Sequence, residues 1–219
     1  DLRMSRGLGD VYKRQVINML DTKLLDSDEI DAIVSIHKSA FPDFFLTMLG
    51  DRFLKLYYSS VFKHKKGVLL GCYNEGKLVG FCAATLKSKG FNANLIYSNL
   101  FSFGIFTLGL LFTNRTALRR LYQNMSKKGK HIVDRGEYAE LLSIGVDSLN
   151  QGKGVGKVLL IKLENIIRSE GCSKLSLTTD FFENQKTIGF YESMGYTILY
   201  DFIAYPNRKM YRLIKTLNK

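Results

Sequence analysis

The stretch VDSLNQGKGVGKVLL, residues 146–160, sets three glycines, Gly152, Gly154 and Gly156, between a strand-like run before it and an apolar-periodic run after it. A strand that turns through glycines into a helix exposes backbone N–H groups beside the positive end of the helix dipole, which suits a phosphate. The spacing says which phosphate-binding turn this is. A Walker loop needs GxxxxGK followed by Ser or Thr, but here Lys157 is followed by Val158 and no glycine stands at the required distance from Gly152. A dinucleotide fingerprint needs GxGxxG, and the order Gly152, Gly154, Gly156 does not supply it. The pattern that fits is Q-x-x-G-x-G, carried by Gln151, Gly154 and Gly156. So short a pattern also describes a plain tight turn, and the flanking sequence has to decide.

Working outward, YAELLSIGVD (138–147) reads as the strand that feeds the turn. Val155, Val158, Leu159, Leu163, Ile166 and Ile167 mark one face of the helix that leaves it, up to Gly171. A strand over Lys174 to Thr179 follows, then NQKTIGFYESMGY (184–196), a helix closed by Gly195, and two final strands, Tyr196 to Ala204 and Met210 to Leu217. On the N-terminal side, Val16 to Leu20 reads as a strand. Asp26, Ser27 and Asp28 start a helix that Pro42 ends, and Phe45, Met48, Leu49, Phe53, Leu56 and Tyr57 stripe a second helix over 44–62. Val68 to Tyr73 and Lys77 to Leu86, joined by Asn74, Glu75 and Gly76, read as a hairpin. No internal repeat or linker divides the chain, so residues 16–219 are expected to form a single domain.

In this order and spacing, the stretch from Glu137 to Tyr196 resembles the GNAT family of N-acetyltransferases: the acetyl-coenzyme A turn, the helix that carries Asn184 and Tyr191, and the Gly-aromatic turn at Gly195 and Tyr196. The similarity covers about 16–86 and 136–219; residues 87–135 stand outside it as a helical, basic insertion. It implies an α/β fold of the acyl-coenzyme A N-acyltransferase type, a mixed and mostly antiparallel sheet flanked by helices. It also implies an N-acetyltransferase that moves the acetyl group of acetyl-coenzyme A to a primary amine by direct attack in a ternary complex.

The chemistry asks for three things. An alkylamine with a pKa of roughly 10.4 is protonated at neutral pH, so a base must remove a proton. The resemblance gives that role to Glu140, 14 residues before Gly154; a salt-bridged or solvent-facing strand glutamate is the alternative reading, with Glu137 the nearest substitute. The departing thiolate needs a proton, and the matching residue is Tyr191, whose plain reading is core packing. The oxyanion needs a donor, for which a backbone N–H near Ile144, Gly145 and Val146 is the candidate. For the cofactor, the resemblance implies that the N–H groups of Gln151, Gly152, Lys153, Gly154, Val155 and Gly156 cradle the pyrophosphate and that Lys153 and Lys157 add charge. The free edge from Leu142 to Val146 would pair with the pantetheine arm, and Asn184 would contact the cofactor or serve as an N-cap. No metal is expected: His37, His64 and His131 show no ligand spacing.

Composition limits the rest. With 46% hydrophobic and 24% charged residues among 219, the chain is neither disordered nor fibrous. Cys72, Cys82 and Cys172 match no zinc or CxxC spacing, and a reduced cytoplasmic chain is expected. The net charge of +12 is concentrated in residues 87–135, with nine Lys and Arg against one acid. Residues 91–114 carry no charge. They read as a buried helix or flap, as a segment dipping into a membrane interface, or as a span, the last opposed by the polar residues that interrupt the roughly 20 apolar positions a span needs. A flap followed by Arg115, Arg119 and Arg120 suits an acceptor with both an apolar surface and an anionic group, such as a nucleotide-linked amino sugar or a lipid-linked sugar, and an amino sugar or nucleotide-linked sugar is the expected class of small-molecule amine. Nucleic acid is disfavoured, because surface aromatics do not alternate with the basic residues. A non-catalytic acyl-coenzyme A-binding or membrane-surface module, or acetylation of a protein amine, are the alternatives, and the oligomeric state is not read. The opening DLRMSRGLGDVYKRQ (1–15) fits no periodic element and is expected to be a non-native or disordered extension.

Overall fold

The computed structural model describes residues 20–99, 135–204 and 207–217. Within them the chain runs β1 (Leu20–Leu24), α1 (Ile30–Ala40), a one-turn α2 (Phe45–Met48), α3 (Asp51–Lys63), β2 (Gly67–Asn74), β3 (Lys77–Thr85) and α4 (Phe91–Ser98). After the insertion come β4 (Ala139–Val146), α5 (Val155–Ser169), β5 (Lys174–Asp180), α6 (Gln185–Ser193), β6 (Thr197–Ala204) and β7 (Arg208–Thr216). One seven-stranded sheet has the order β1-β2-β3-β4-β5-β7-β6. Its strands are antiparallel except for β4 and β5.

Two differences from the sequence reading stand out. The first strand lies over Leu20–Leu24, later than Val16 to Leu20, and residues 16–19 fall outside the described part. The single helix expected over 44–62 is broken at Gly50, whose φ of 85° in the left-handed region separates α2 from α3. The extension (1–15) and most of the insertion also lie outside the described residues. Within the insertion, α4 turns Phe91 and Leu95 into the core. Among the described residues, no helix is long and apolar enough to cross a membrane.

Each face of the sheet carries its own core. Val155, Leu159, Leu163 and Ile167 of α5, with Tyr191 of α6, pack on one face against Leu70, Cys82, Leu141 and Leu177. Ile33 and Val34 of α1, with Leu54, Tyr58 and Val61 of α3, pack on the other face against Leu69, Phe81 and Ala83. The period-3.6 stripe read from Val155 to Ile167 is the inward face of α5. On α3 the buried face is Leu54, Tyr58 and Val61 with Phe53, whereas Leu56 and Tyr57 of the stripe read there are half-buried and Met48 of α2 is exposed.

What positions the site is the pairing of β4. It meets β5 only at Ala139, Glu140 and Leu141, opposite Leu175, Ser176 and Leu177. Beyond that point β5 continues beside β7 and β4 continues beside β3. The sheet therefore forks, and the β4 edge from Leu142 to Val146 has no β5 neighbour. The fork coincides with a bulge. Ala83 pairs with Ser143 and Ala84 with Leu141, so Leu142 is the extra residue of β4.

Candidate active site

The turn after β4 ends in Gly154, which stands at the N-cap of α5 with φ 88°. A side chain there would be strained, and no side chain caps the helix, so the first-turn N–H groups face outward as donors. Gln151 ties the turn to its strand by donating from Nε2 to the Val146 carbonyl at 3.2 Å. Lys153 reaches Asn150 at 3.4 Å, and Gly152 and Lys157 lie on the surface. Val155 is buried against Gly80, where a Cβ would come within 2.7 Å of it. Val155 can therefore offer a ligand only its backbone. Gly145 is similarly required, because a Cβ there would lie 2.8 Å from Phe81. The residues Ile144, Gly145, Val146 and 151–157 thus form one continuous edge, from the fork to the helix start. That edge offers backbone donors and acceptors for an amide-rich arm and a pyrophosphate.

Asn184 stands at the start of α6, but its side chain does not cap the helix. It donates to Thr179 Oγ1 at 2.6 Å and to the Asp180 carbonyl at 3.1 Å, fastening α6 to the end of β5. Tyr191 is 5% exposed and packs edge-on to Phe190 and Tyr196. Burial, with Cys82 nearby, pushes its hydroxyl well above the ordinary tyrosine range, so it remains a proton donor at any physiological pH. Cys82 is the β3 partner of Ile144, which sets Tyr191 under β4 at the level of the fork.

Glu140 is on the opposite face of the sheet. Arg212 of β7 donates to its Oε1 at 3.0 Å and Ser88 donates to its Oε2. The two ion-paired side chains are 15% and 14% exposed. Arg212 also donates to Ser176 at 3.2 Å, so the ion pair crosses β5 and ties the two half-sheets together where they divide. Burial works against the Arg212 charge, but Glu140, Tyr138 and Tyr200 outweigh it, and its pKa is raised. The salt-bridged alternative for Glu140 therefore describes its geometry. Glu137 is exposed.

Several polar residues at the fork escaped the sequence reading. His37 of α1 and Tyr58 of α3, both fully buried, meet at 2.6 Å between Nδ1 and the phenol oxygen. Tyr58 lies 3.1 Å from Ser143 Oγ. Burial lowers the His37 pKa to about 4, so the imidazole is neutral at physiological pH. Above the fork, Arg208 forms a two-pronged pair with Asp180 and lies 5.1 Å from the centre of the Phe44 ring, joining the start of β7 to the end of β5 and to the segment after α1. Contacts this distant in sequence leave no periodic or spacing signal.

Three acids, Asp26, Asp28 and Glu29, have oxygens within 4.8 Å of one another, but they flank the start of α1, away from the fork. His64 packs 4.6 Å from Phe91 and accepts from the Lys66 N–H, and His131 lies outside the described residues.

A forked mixed sheet whose central strand ends in a glycine turn and helix defines an acyl-coenzyme A N-acyltransferase architecture. The sequence pattern of the acetyltransferase (GNAT) family matches residues 30–196, and the chain belongs to that family of N-acetyltransferases. The fold is similar to that of an N-acetyltransferase from Staphylococcus aureus Mu50, at TM-score 0.61 and 13% identity over 91% of this chain and 99% of the other. It is also similar to the ribosomal-protein-S18-alanine N-acetyltransferase from Escherichia coli, at TM-score 0.59 and 15% identity over 92% and 96%. The PaiA N-acetyltransferase from Thermoplasma acidophilum, solved in complex with coenzyme A, superposes at TM-score 0.51 and 12% identity over 90% and 98%. No curated protein matches the sequence.

Proposed function

We propose that the protein transfers an acetyl group from acetyl-coenzyme A, bound along the β4 edge and the 151–156 turn, to the primary amine of a small, anionic acceptor. The observation that carries this reading is the fork: an unpaired strand edge leading into an uncapped, glycine-built helix start. The Ile144 to Val146 backbone and the amides of Gln151, Gly152, Lys153, Gly154, Val155 and Gly156 hold the cofactor. Lys153 and Lys157 add positive charge beside it. Acetyl-coenzyme A supplies the activated acetyl group as a thioester.

Glu140 and Tyr191 lie on opposite faces of the sheet, near where β4 and β5 part. That separation suits a reaction in which a proton leaves one side and arrives on the other. On the α1 and α3 face, Glu140 receives the proton of the amine, its direction fixed by Arg212 and Ser88. On the α5 and α6 face, the Tyr191 hydroxyl donates a proton to the departing sulfur, and its raised pKa keeps that proton available. An N–H of the bulged strand near Ile144 to Val146 faces the developing oxyanion. Asn184 keeps the end of β5 in place beside the cofactor.

The acceptor reading rests on the insertion, in which nine basic residues stand against one acid and seven of the nine follow an uncharged run. A nucleotide-linked amino sugar meets both properties, and a cytoplasmic enzyme with peripheral membrane contact through 91–130 suits a lipid-linked one. The test is release of free thiol from acetyl-coenzyme A in the presence of glucosamine 6-phosphate, a UDP-linked amino sugar, an aminoglycoside and a peptide with a free N-terminus. Turnover with a phosphorylated amine supports the reading. Turnover with the peptide alone transfers the assignment to a protein amine, and cofactor binding without any turnover assigns a non-catalytic acyl-coenzyme A-binding role.

A further inference from the structure

In the largely apolar core under α1 and α3, a chain of three polar side chains ends at the fork. His37 and Tyr58 are both fully buried, and their polar ends meet at 2.6 Å. The imidazole sits among Phe41, Phe44 and Phe81, with ring centres 5.0, 6.3 and 6.4 Å away, and Phe81 also meets Tyr58 edge-on at 5.3 Å. Nε2 of His37 is buried with no hydrogen-bond partner among the described residues. Leucine and phenylalanine at these positions would fill the same space without desolvating an imidazole and a phenol, so a role outside packing is indicated.

Only one member of the chain reaches solvent. Ser143 is half-buried, on the part of β4 that has lost its β5 neighbour. The bulge at Leu142 turns both Leu142 and Ser143 toward the α1 and α3 core, the face that also carries Glu140. A serine hydroxyl has one donor and two acceptor positions. If His37 carries its proton on Nδ1, the donors run from His37 to Tyr58 to Ser143. With the proton on Nε2 they run the other way. In both cases Ser143 Oγ keeps at least one lone pair free, and Tyr58 fixes which way it points.

We propose that Ser143 Oγ is the acceptor-side contact of the incoming amine, taking a hydrogen bond from its N–H at the mouth of the fork, and that Tyr58 and His37 are positioning residues that hold the Ser143 hydroxyl in that orientation. The inference rests on the acetyl-transfer reading above. A burial-depressed imidazole fits a positioning role better than that of a final proton acceptor, because it stays neutral as the reaction proceeds.

The experiment is a double-mutant cycle on Ser143→Ala and Tyr58→Phe, with Ser143→Thr as the variant that keeps the hydroxyl. Each protein is assayed by thiol release with acetyl-coenzyme A and whichever of the four amines the wild type turns over best, and by calorimetry with acetyl-coenzyme A alone. The expected result is a drop of about tenfold in kcat/KM for the amine in Ser143→Ala, restored in Ser143→Thr, with cofactor affinity unchanged. Tyr58→Phe should lose severalfold in the wild-type background and nothing further in the Ser143→Ala background, because it acts through Ser143. Wild-type activity in Ser143→Ala overturns the inference, as do losses that simply multiply, which is how a role in packing alone would behave. A wild type that binds acetyl-coenzyme A but turns over no amine defeats the acetyl-transfer reading and this inference with it. Wild-type turnover with indifferent variants defeats only the inference.

Discussion

Replacing Glu140 with glutamine separates two roles that coincide at one carboxylate. In the structure its Oε1 accepts from Arg212 at 3.0 Å and its Oε2 from Ser88, with both ion-paired side chains about 85% shielded from solvent. An amide keeps an oxygen for Arg212 but removes the charge, leaving a shielded guanidinium without its counter-ion. A hydrogen bond to a charged group contributes about 1.5–3 kcal/mol, and severing a fully buried pair costs about 3–5 kcal/mol. With some solvent access and a retained acceptor, Glu140→Gln should cost about 2 kcal/mol, a fall of about 4–8 °C in Tm for a domain of this size. If the carboxylate also takes the amine proton, kcat/KM should drop about 100-fold or more, with acetyl-coenzyme A affinity unchanged. Arg212→Met supplies the comparison, since it breaks the same pair but keeps the carboxylate. It should melt at least as early but lose only severalfold in kcat/KM, the part that orientation of the carboxylate supplies. Calorimetry and thiol-release kinetics on the three proteins decide the matter. A destabilised Glu140→Gln with wild-type kcat/KM would make Glu140 a strut between the half-sheets and refute the proton-acceptor role, while an unchanged Tm would refute the energetic argument.

Further expectations follow from other parts of the site. Tyr191→Phe should lower kcat about 100-fold at unchanged cofactor affinity, and its loss should shrink with a thioester whose thiol is more acidic; equal losses for both thioesters would argue against proton donation. Gly154→Ala puts a Cβ on a residue at φ 88° and should cost about 1 kcal/mol in thermal stability and weaken acetyl-coenzyme A binding severalfold; wild-type calorimetric affinity would contradict the assigned turn. Because the His37 pKa is lowered to about 4 from 6.5, the unfolded chain binds a proton in that window that the folded chain refuses. Stability from this group is therefore complete above about pH 6.5 and declines by up to roughly 3 kcal/mol as pH falls to 4. Urea unfolding of His37→Gln should show a flatter acid limb than wild type, and parallel limbs would exclude His37 as the source. Neutralising Arg115, Arg119 and Arg120 together should raise KM for an anionic amine and leave that for an uncharged amine alone; equal KM changes for the two would remove the anionic-acceptor reading.

Local chemistry made much of the fold legible. The turn at Asn74, Glu75 and Gly76, the stripe from Val155 to Ile167 and the stop at Gly171 each carry their own signal, and the corresponding elements form where they were read. Gly50 carried a signal as well, but the apolar stripe on both sides concealed the break that its left-handed backbone makes. The fork is different. It depends on where β4 and β5 stop pairing, a consequence of sheet twist and of the Leu142 bulge that no residue type announces. At the candidate site, the glycine turn and the helix that carries Tyr191 are legible because each is contiguous in sequence, and the resemblance supplies the roles proposed for them. Arg212 lies 72 residues from Glu140, and Ser143 lies 85 from Tyr58, so their meeting is set by topology alone. His37 looked isolated because its partner is 21 residues away on a different helix.

The measurement that addresses the central claim most directly is the stoichiometry of the reaction, with free thiol and acetylated amine quantified together by absorbance and mass spectrometry for wild type and Tyr191→Phe. The account predicts equal amounts of the two products from the wild type and a matched fall of both in the variant. Thiol released without acetylated amine, or acetylated amine at wild-type yield and rate from Tyr191→Phe, would contradict it.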